Sequence, residues 1–257
     1  MNLVATANDA KATIKIKVPK RDENGNLVYD TDGTTIIYEE KSIESGVASE
    51  VSLNKLGEQD TNITVSVTAE DGETKNEYNV VIKRPFGTIK GNIYTAPTAD
   101  KGVYKSDIRL YNSSDTQEVI DWNALVSGST DDIHDKLLTL ESQNYTSNDD
   151  GTYEIYVIPG TYDILLDKPG YLDHIYKTKV VQEGDTIDLG QKELIAGDIN
   201  KDGVIQILDL SYILSGYGVN NTDPKYDFKV DFNEDTEIQI LDLSIFLSNY
   251  SLSRQIE

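Results

Sequence analysis

The chain has 257 residues, a formal net charge of -22 from 45 acidic against 23 basic side chains, two histidines, one tryptophan and no cysteine. That charge repels nucleic-acid phosphates and acidic membrane surfaces, and the lack of cysteine excludes disulfide staples and thiolate metal sites. The length suits two or three modest domains, and with no signal peptide, lipidation motif or apolar run of membrane length in view we expect a fragment of a longer exported protein.

Residues 1–84 alternate with the period of two that marks half-buried strands. Such runs are Asn2-Leu3-Val4-Ala5-Thr6, Ala12-Thr13-Ile14-Lys15-Ile16-Lys17-Val18, Thr34-Thr35-Ile36-Ile37-Tyr38, Ile63-Thr64-Val65-Ser66-Val67-Thr68 and Tyr78-Asn79-Val80-Val81-Ile82. Turn-rich stretches separate them, including Asp22-Glu23-Asn24-Gly25-Asn26 and the hairpin-like Glu70-Asp71-Gly72-Glu73. One antiparallel β unit is predicted. The run from Ala5 through Ala7-Asn8-Asp9-Ala10, the Thr68-Ala69-Glu70-Asp71-Gly72 turn and the closing strand before Arg84 resemble the cadherin-like β-sandwich repeats of bacterial surface and secreted proteins. That family has further strands ahead of the Ala-Asn-Asp-Ala stretch, so the resemblance implies a truncated sandwich.

Arg84-Pro85-Phe86-Gly87 breaks the pattern, and a second segment, residues 85–196, begins to alternate at Thr88-Ile89-Lys90-Gly91-Asn92-Ile93-Tyr94. Its best-defined part is Thr152-Tyr153-Glu154-Ile155-Tyr156-Val157-Ile158-Pro159-Gly160-Thr161-Tyr162-Asp163-Ile164-Leu165-Leu166, followed by Lys168-Pro169-Gly170-Tyr171. Two strands joined through Pro-Gly, with Gly-Tyr after the second, resemble the carboxypeptidase-regulatory-like domain. The resemblance implies a small transthyretin-type β-sandwich acting as a non-catalytic spacer or binding module. A stretch from Gln117 to Leu140 exceeds that family's needs and has a partly helical pattern around Ile133-His134-Asp135-Lys136-Leu137-Leu138.

From Asp198 the periodicity changes. Asp198-Ile199-Asn200-Lys201-Asp202-Gly203-Val204-Ile205-Gln206-Ile207-Leu208-Asp209 has the spacing of a twelve-residue calcium loop. Side-chain oxygens fall at positions 1, 3, 5, 9 and 12 (Asp198, Asn200, Asp202, Gln206, Asp209), glycine at position 6, and the Val204 carbonyl at position 7. Calcium takes six to eight oxygens, which alternate residues of a tight loop can direct at one centre. Thirty-three residues later the pattern returns with Asp231, Asn233, Asp235, Glu237, Gln239 and Asp242. Two calcium ions are therefore predicted. Thr236 replaces glycine at position 6 of the second loop, so weaker binding or a different bend is expected there. Ile205, at position 8, is expected to pair the two loops through a short β contact. The approaches, Glu193-Leu194-Ile195-Ala196-Gly197 and the stretch holding Pro224, cannot form stable entering helices. Both exits, Ile207 to Ser215 and Ile240 to Tyr250, carry apolar residues at helical spacing.

Duplicated calcium loop and helix halves within residues 197–257 resemble the dockerin of cellulosomes, and aspartate at position 12 of both loops agrees with that family. The resemblance implies calcium-dependent binding to a cohesin domain of a scaffoldin or surface-anchoring protein, an extracellular bacterial setting, and contact with polysaccharide only indirectly. It places partner recognition at Ile207, Leu208, Leu214 and Ser215, and at Ile240, Leu241, Leu247 and Ser248. The two sets are identical, so two opposite binding orientations are expected. Leu210, Ile213, Leu243 and Phe246 already serve the module's interior, which should leave the recognition residues as an exposed apolar face.

No catalytic constellation is visible. His134 and His174 lack a nucleophile or metal partner in the sequence, and paired carboxylates are too common in so acidic a chain to argue glycosidase chemistry. The sixteen tyrosines and Trp122 admit a carbohydrate-binding or calcium-stabilised adhesion spacer as the alternative. The sandwich immediately before Asp198 leans toward an X-module-like arrangement. The predicted fold class is mainly β, two sandwiches of immunoglobulin or transthyretin type followed by a small paired EF-hand-like module.

Overall fold

Alternation builds the first of two compact units, residues 1–85 and 86–257. The computed structural model describes residues 1–95, 105–112 and 142–257. The Gln117–Leu140 stretch, with Trp122 and His134, lies outside the described residues.

In the first unit, β2 (Thr13–Pro19), β3 (Tyr38–Ile43), β5 (Thr61–Thr68) and β6 (Lys75–Ile82) form an antiparallel sheet of order β3-β2-β5-β6, and β1 (Asn2–Val4) pairs with β4 (Ala48–Glu50). Ile14, Ile16, Val18, Ile63 and Val65, every second residue of β2 and β5, enter the core with Val51. The Asp71-Gly72 turn closes the β5–β6 hairpin, as predicted, through Ala69 N–H to the Thr74 carbonyl at 2.9 Å. The strand expected at Thr34–Tyr38 is displaced, because β3 starts at Tyr38 and runs through polar residues. The Asp32 carboxylate accepts from the Thr34 and Thr35 amides, each at 2.8 Å, and from the Thr35 hydroxyl at 2.6 Å. That local turn fixes Thr34 and Thr35, and beyond it Ile36 makes an isolated antiparallel bridge with Tyr29.

The second unit opens with β7 (Gly87–Thr95), β8 (Asp107–Asn112), β9 (Gln143–Thr146), β10 (Thr152–Val157), β11 (Gly160–Asp167), β12 (His174–Val181) and β13 (Thr186–Leu194). Helices α1 (Ile207–Ser215) and α2 (Ile240–Ser248) follow, with a short 3₁₀ turn at Phe228–Val230 between them and β14 (Gln255–Ile256) after them. The sheets are ordered β10-β7-β13 and β14-β12-β11-β8-β9. The Ile158-Pro159 link between β10 and β11 thus carries the chain from one sheet to the other. Proline supplies no N–H to a ladder, which suits a crossing point.

Ile89, Ile155 and Val157 face Ile108, Leu110, Ile164 and Leu166 in one core, which continues without a break into Ile199, Ile205, Ile213, Val230, Phe232, Ile238 and Phe246 of the loop and helix segment. The sandwich and the paired loops share their interior. Strand β14 strengthens the connection by pairing in parallel with β12, His174 opposite Gln255 and Ile175 opposite Ile256.

Candidate calcium loops and docking face

Each loop feeds straight into a helix, and the position-12 aspartate belongs to both. Asp209 sits in the first turn of α1, where its Oδ2 accepts the Gln206 N–H at 3.0 Å, while Oδ1 accepts Ile199 N–H at 2.8 Å and Asn200 N–H at 3.1 Å. Asp242 repeats this in α2, with Gln239 N–H at 2.8 Å and Phe232 N–H at 2.8 Å. A carboxylate is favoured at the positive end of a helix, so helix and loop stabilise one another. The first helix has the predicted bounds. The second stops at Ser248 rather than Tyr250, with Asn249 as its cap, and its cap N–H bonds back to Phe246.

In the first loop Asp198, Asp202 and Asp209 each direct a carboxylate oxygen to within 4.8 Å of the others. Among the described residues this is the one group of three carboxylates, imidazoles or thiolates drawn so close. Asp198 is fully buried; its Oδ2 accepts the Gly203 N–H at 3.0 Å, and its Oδ1 is buried with no hydrogen-bond partner. Burial is the main cause that pushes this carboxyl up to about 7, with Lys201 acting the other way. Burial likewise raises Asp209 and Asp242. Oxygens crowded and desolvated in this way are stable as anions only when a cation joins them, and the all-oxygen set fits calcium. Asn200 and Asp202 lie beside Asp198, the Asn200 amide 2.9 Å from Asp202 Oδ2, and the Gln206 amide is 2.8 Å from the same oxygen. Val204 pairs with Ser253.

The second loop is built alike but is more open. Asp231 is buried, whereas Asp235 and Glu237 are exposed and Asn233 and Gln239 are half-buried. The Tyr226 hydroxyl donates to Asp231 Oδ2 at 2.5 Å and the Thr236 N–H to the same oxygen at 2.9 Å. Asn233 bonds to Asp235 at 2.8 Å, and the Gln239 amide contacts Glu237. Thr236 takes φ +74°, close to the +86° of Gly203, so the bend is kept rather than altered. Why the first loop needs glycine is plain from its surroundings, where a Cβ at Gly203 would stand 3.0 Å from the Arg254 guanidinium carbon. Thr236 is exposed.

The predicted pairing of the loops with each other is not what forms. Ile205 exchanges bonds with the chain after α2, its N–H going to Leu252 O at 2.9 Å while Ser251 N–H reaches Ile205 O at 2.9 Å. Ile238 does the same with the chain after α1, its N–H going to Val219 O at 2.9 Å and Gly218 N–H to Ile238 O at 2.8 Å. Each loop is therefore bound to the exit of the other half, and both exits turn through a positive φ, +85° at Gly218 and +70° at Ser251.

On the helices, Ile207, Leu208, Leu214, Ile240, Leu241 and Leu247 are all 55–62 % exposed. Ser215 and Ser248 are exposed beside them, each hydroxyl donating to a carbonyl of the preceding turn at 2.7 Å. Ile213 and Phe246 are buried, and Leu210 and Leu243 pack partly buried against the core. Tyr212, Tyr217, Tyr250 and Leu252 add exposed apolar surface that the repeat pattern alone did not single out. His174 is a packed side chain, its ring centroid 4.6 Å from that of Tyr176.

Residues 196–250 match the dockerin type I domain. Residues 1–85 match the model of the cadherin-like β-sandwich domain. A dockerin of this type is a calcium-binding module, and both matched domains are of non-catalytic kinds. Among the curated proteins none matches the sequence. Similar solved structures include two interface mutants of a type II cohesin–X–dockerin complex from Acetivibrio cellulolyticus. They are 20 % and 19 % identical, each over 65 % of this chain and 97 % of that one, with TM-scores of 0.45. The minor pilin of Streptococcus agalactiae is 14 % identical over 71 % of this chain and 82 % of its own, with a TM-score of 0.24. No helix among the described residues is long and apolar enough to cross a membrane.

Sequence reading missed the charged residues that surround the two loops, namely Asp167, Lys168 and Asp173 of the sandwich with Lys201, Glu234 and Arg254. One signal was present. The loops nearly repeat each other, yet position 4 is lysine in one and glutamate in the other.

Proposed function

We propose that this chain is a non-catalytic, calcium-dependent docking region that attaches an extracellular bacterial protein to a cohesin domain of a scaffoldin or surface-anchoring protein. Asp198, Asn200, Asp202, Val204, Gln206 and Asp209 hold one calcium ion, and Asp231, Asn233, Asp235, Glu237, Gln239 and Asp242 a second. The observation that carries the reading is the duplicated apolar face, six aliphatic side chains left more than half exposed at matching positions of two helices whose inner faces are packed. Such a patch on a chain of net charge -22 marks a protein interface. The sandwich of residues 86–196 acts as an X-module-like support, since its core continues into the dockerin.

A panel of cohesin domains immobilised and probed with the whole chain tests this. Binding in calcium that disappears with EGTA is expected. Leu208→Asp or Leu241→Asp alone should weaken binding only slightly if either half can face the cohesin, and the double variant should abolish it. A large loss from one single variant removes the two-orientation reading, and calcium-insensitive or absent binding across the panel removes the docking reading.

A further inference from the structure

The two side chains at loop position 4 point away from the ion-binding sides of their loops and end in one place, the sandwich turn between β11 and β12, residues 167–173. Lys201 Nζ lies 2.5 Å from Asp167 Oδ1, 2.8 Å from Asp173 Oδ1, 2.9 Å from the Lys168 carbonyl and 2.7 Å from the Tyr171 carbonyl. Arg254 completes the cluster from the C-terminal segment, 2.9 Å from Asp173 Oδ2, while its own N–H bonds to the Gly203 carbonyl of the first loop at 2.9 Å. From the second loop, Glu234 Oε1 meets Lys168 Nζ at 2.8 Å, and both side chains are 5 % exposed or less. Close packing surrounds these pairs. The Tyr171 ring meets the Phe232 ring edge-on at 5.9 Å, its hydroxyl reaches the Phe232 carbonyl at 3.3 Å, and Gly170 lies so near Lys229 that a Cβ would stand 2.1 Å from its carbonyl oxygen.

Position 4 lies between the ligands at positions 3 and 5, and both residues there hold a left-handed backbone, φ +62° at Lys201 and +55° at Glu234. Neither is glycine, so each bend is strained and persists only where its surroundings impose it. The turn does so by gripping each side chain with the opposite charge, and the bends bring Asn200 to 2.9 Å from Asp202 and Asn233 to 2.8 Å from Asp235, side chain to side chain. Desolvated charges are tolerated only with such complete partners.

We infer that the 167–173 turn is a positioning element of both calcium loops, so that calcium occupancy and the seating of the dockerin on its sandwich form one linked equilibrium. This rests on the reading of residues 198–209 and 231–242 as calcium loops. Linkage is reciprocal: a turn that holds the ligands raises calcium affinity, and calcium in turn holds the loops against the turn.

Calorimetric titration of calcium into the whole chain and into Lys201→Met and Lys168→Met tests the inference by sign. Each substitution removes a positive charge beside a cation site, which by Coulomb attraction alone would tighten calcium. Lost positioning instead weakens it by roughly 10- to 100-fold, as for residues that orient metal ligands, in the first loop for Lys201→Met and in the second for Lys168→Met. Hydrogen exchange of the unaltered chain is the companion measurement, needed if a variant fails to fold. Added calcium should slow the amides of residues 168–173 while leaving those of β5 in the first unit unchanged. Unaltered or tighter binding in the variants, or turn amides indifferent to calcium, overturns the inference and leaves the loops standing. If the unaltered chain binds no calcium, the loop reading itself has failed.

Discussion

Thr236→Gly should stabilise the protein, against the usual expectation for replacing a β-branched residue with glycine. At φ +74° threonine occupies the left-handed region, which costs a residue with a Cβ about 1–2 kcal/mol. Glycine escapes that strain but loses more freedom on folding, about 0.5–1 kcal/mol. The exposed threonine side chain has little packing to lose, and the backbone bonds from Thr236 N–H to Asp231 Oδ2 at 2.9 Å and from Asn221 N–H to Thr236 O at 3.0 Å remain available to glycine. The net gain is about 0.5–1 kcal/mol, or about two- to fivefold in an equilibrium constant. Urea unfolding in excess calcium measures it as a rise in midpoint at unchanged slope. Gly203→Ala, at the equivalent position of the first loop, must move the other way. Its φ of +86° and the 3.0 Å approach to Arg254 make any Cβ strained and crowded, so a loss of at least about 1–2 kcal/mol is expected. Opposite signs at the two positions are the signature; a midpoint that falls for Thr236→Gly would refute the strain argument.

Gly170→Ala should loosen the contact between the sandwich and the loop and helix segment, because φ is +83° and the new Cβ would lie 2.1 Å from the Lys229 carbonyl oxygen; a loss exceeding about 2 kcal/mol is expected, and faster proteolysis between residues 197 and 257 reports it. Phe246→Ala empties a fully buried site in the shared core and should cost about 3–5 kcal/mol in chemical unfolding. His174 is buried and neutral, its pKa drawn from 6.5 to about 4 chiefly by burial and then by the Lys192 charge, with Glu257 opposing. A depressed pKa gives stability that is complete above about 6.5 and is lost as pH falls through about 4. His174→Phe should flatten that part of the pH–stability curve, and an unchanged slope would show that the imidazole is not the titrating group.

The parts of this protein written in the sequence are those whose physics is local. The twelve-residue oxygen spacing of Asp198 to Asp209 and of Asp231 to Asp242 is such a pattern, visible without knowing what surrounds it. The same holds for α1, whose apolar spacing and Gly216 cap mark both ends, and for the alternation that places Ile14, Ile16 and Val18 in a core. The Thr34–Tyr38 segment shows where local reading falls short: Asp32 holds the amides of Thr34 and Thr35, and Ile36 pairs with Tyr29 in an isolated bridge rather than in a named strand.

Only tertiary structure decided who pairs with whom. Ile205 had the right side chain for a β contact, but its partner is Leu252 rather than the other loop, since two interlocked halves let each loop close on the other's exit. Nothing in its loop marks Lys201 for pairing, yet the chain brings Asp167 and Asp173 to it from 34 and 28 residues away. Opposite charges at position 4 acquire meaning only when one turn of the sandwich meets both loops at once. Distant pairings depend on how sheets and helices bury a common core, and no spacing within the sequence records that.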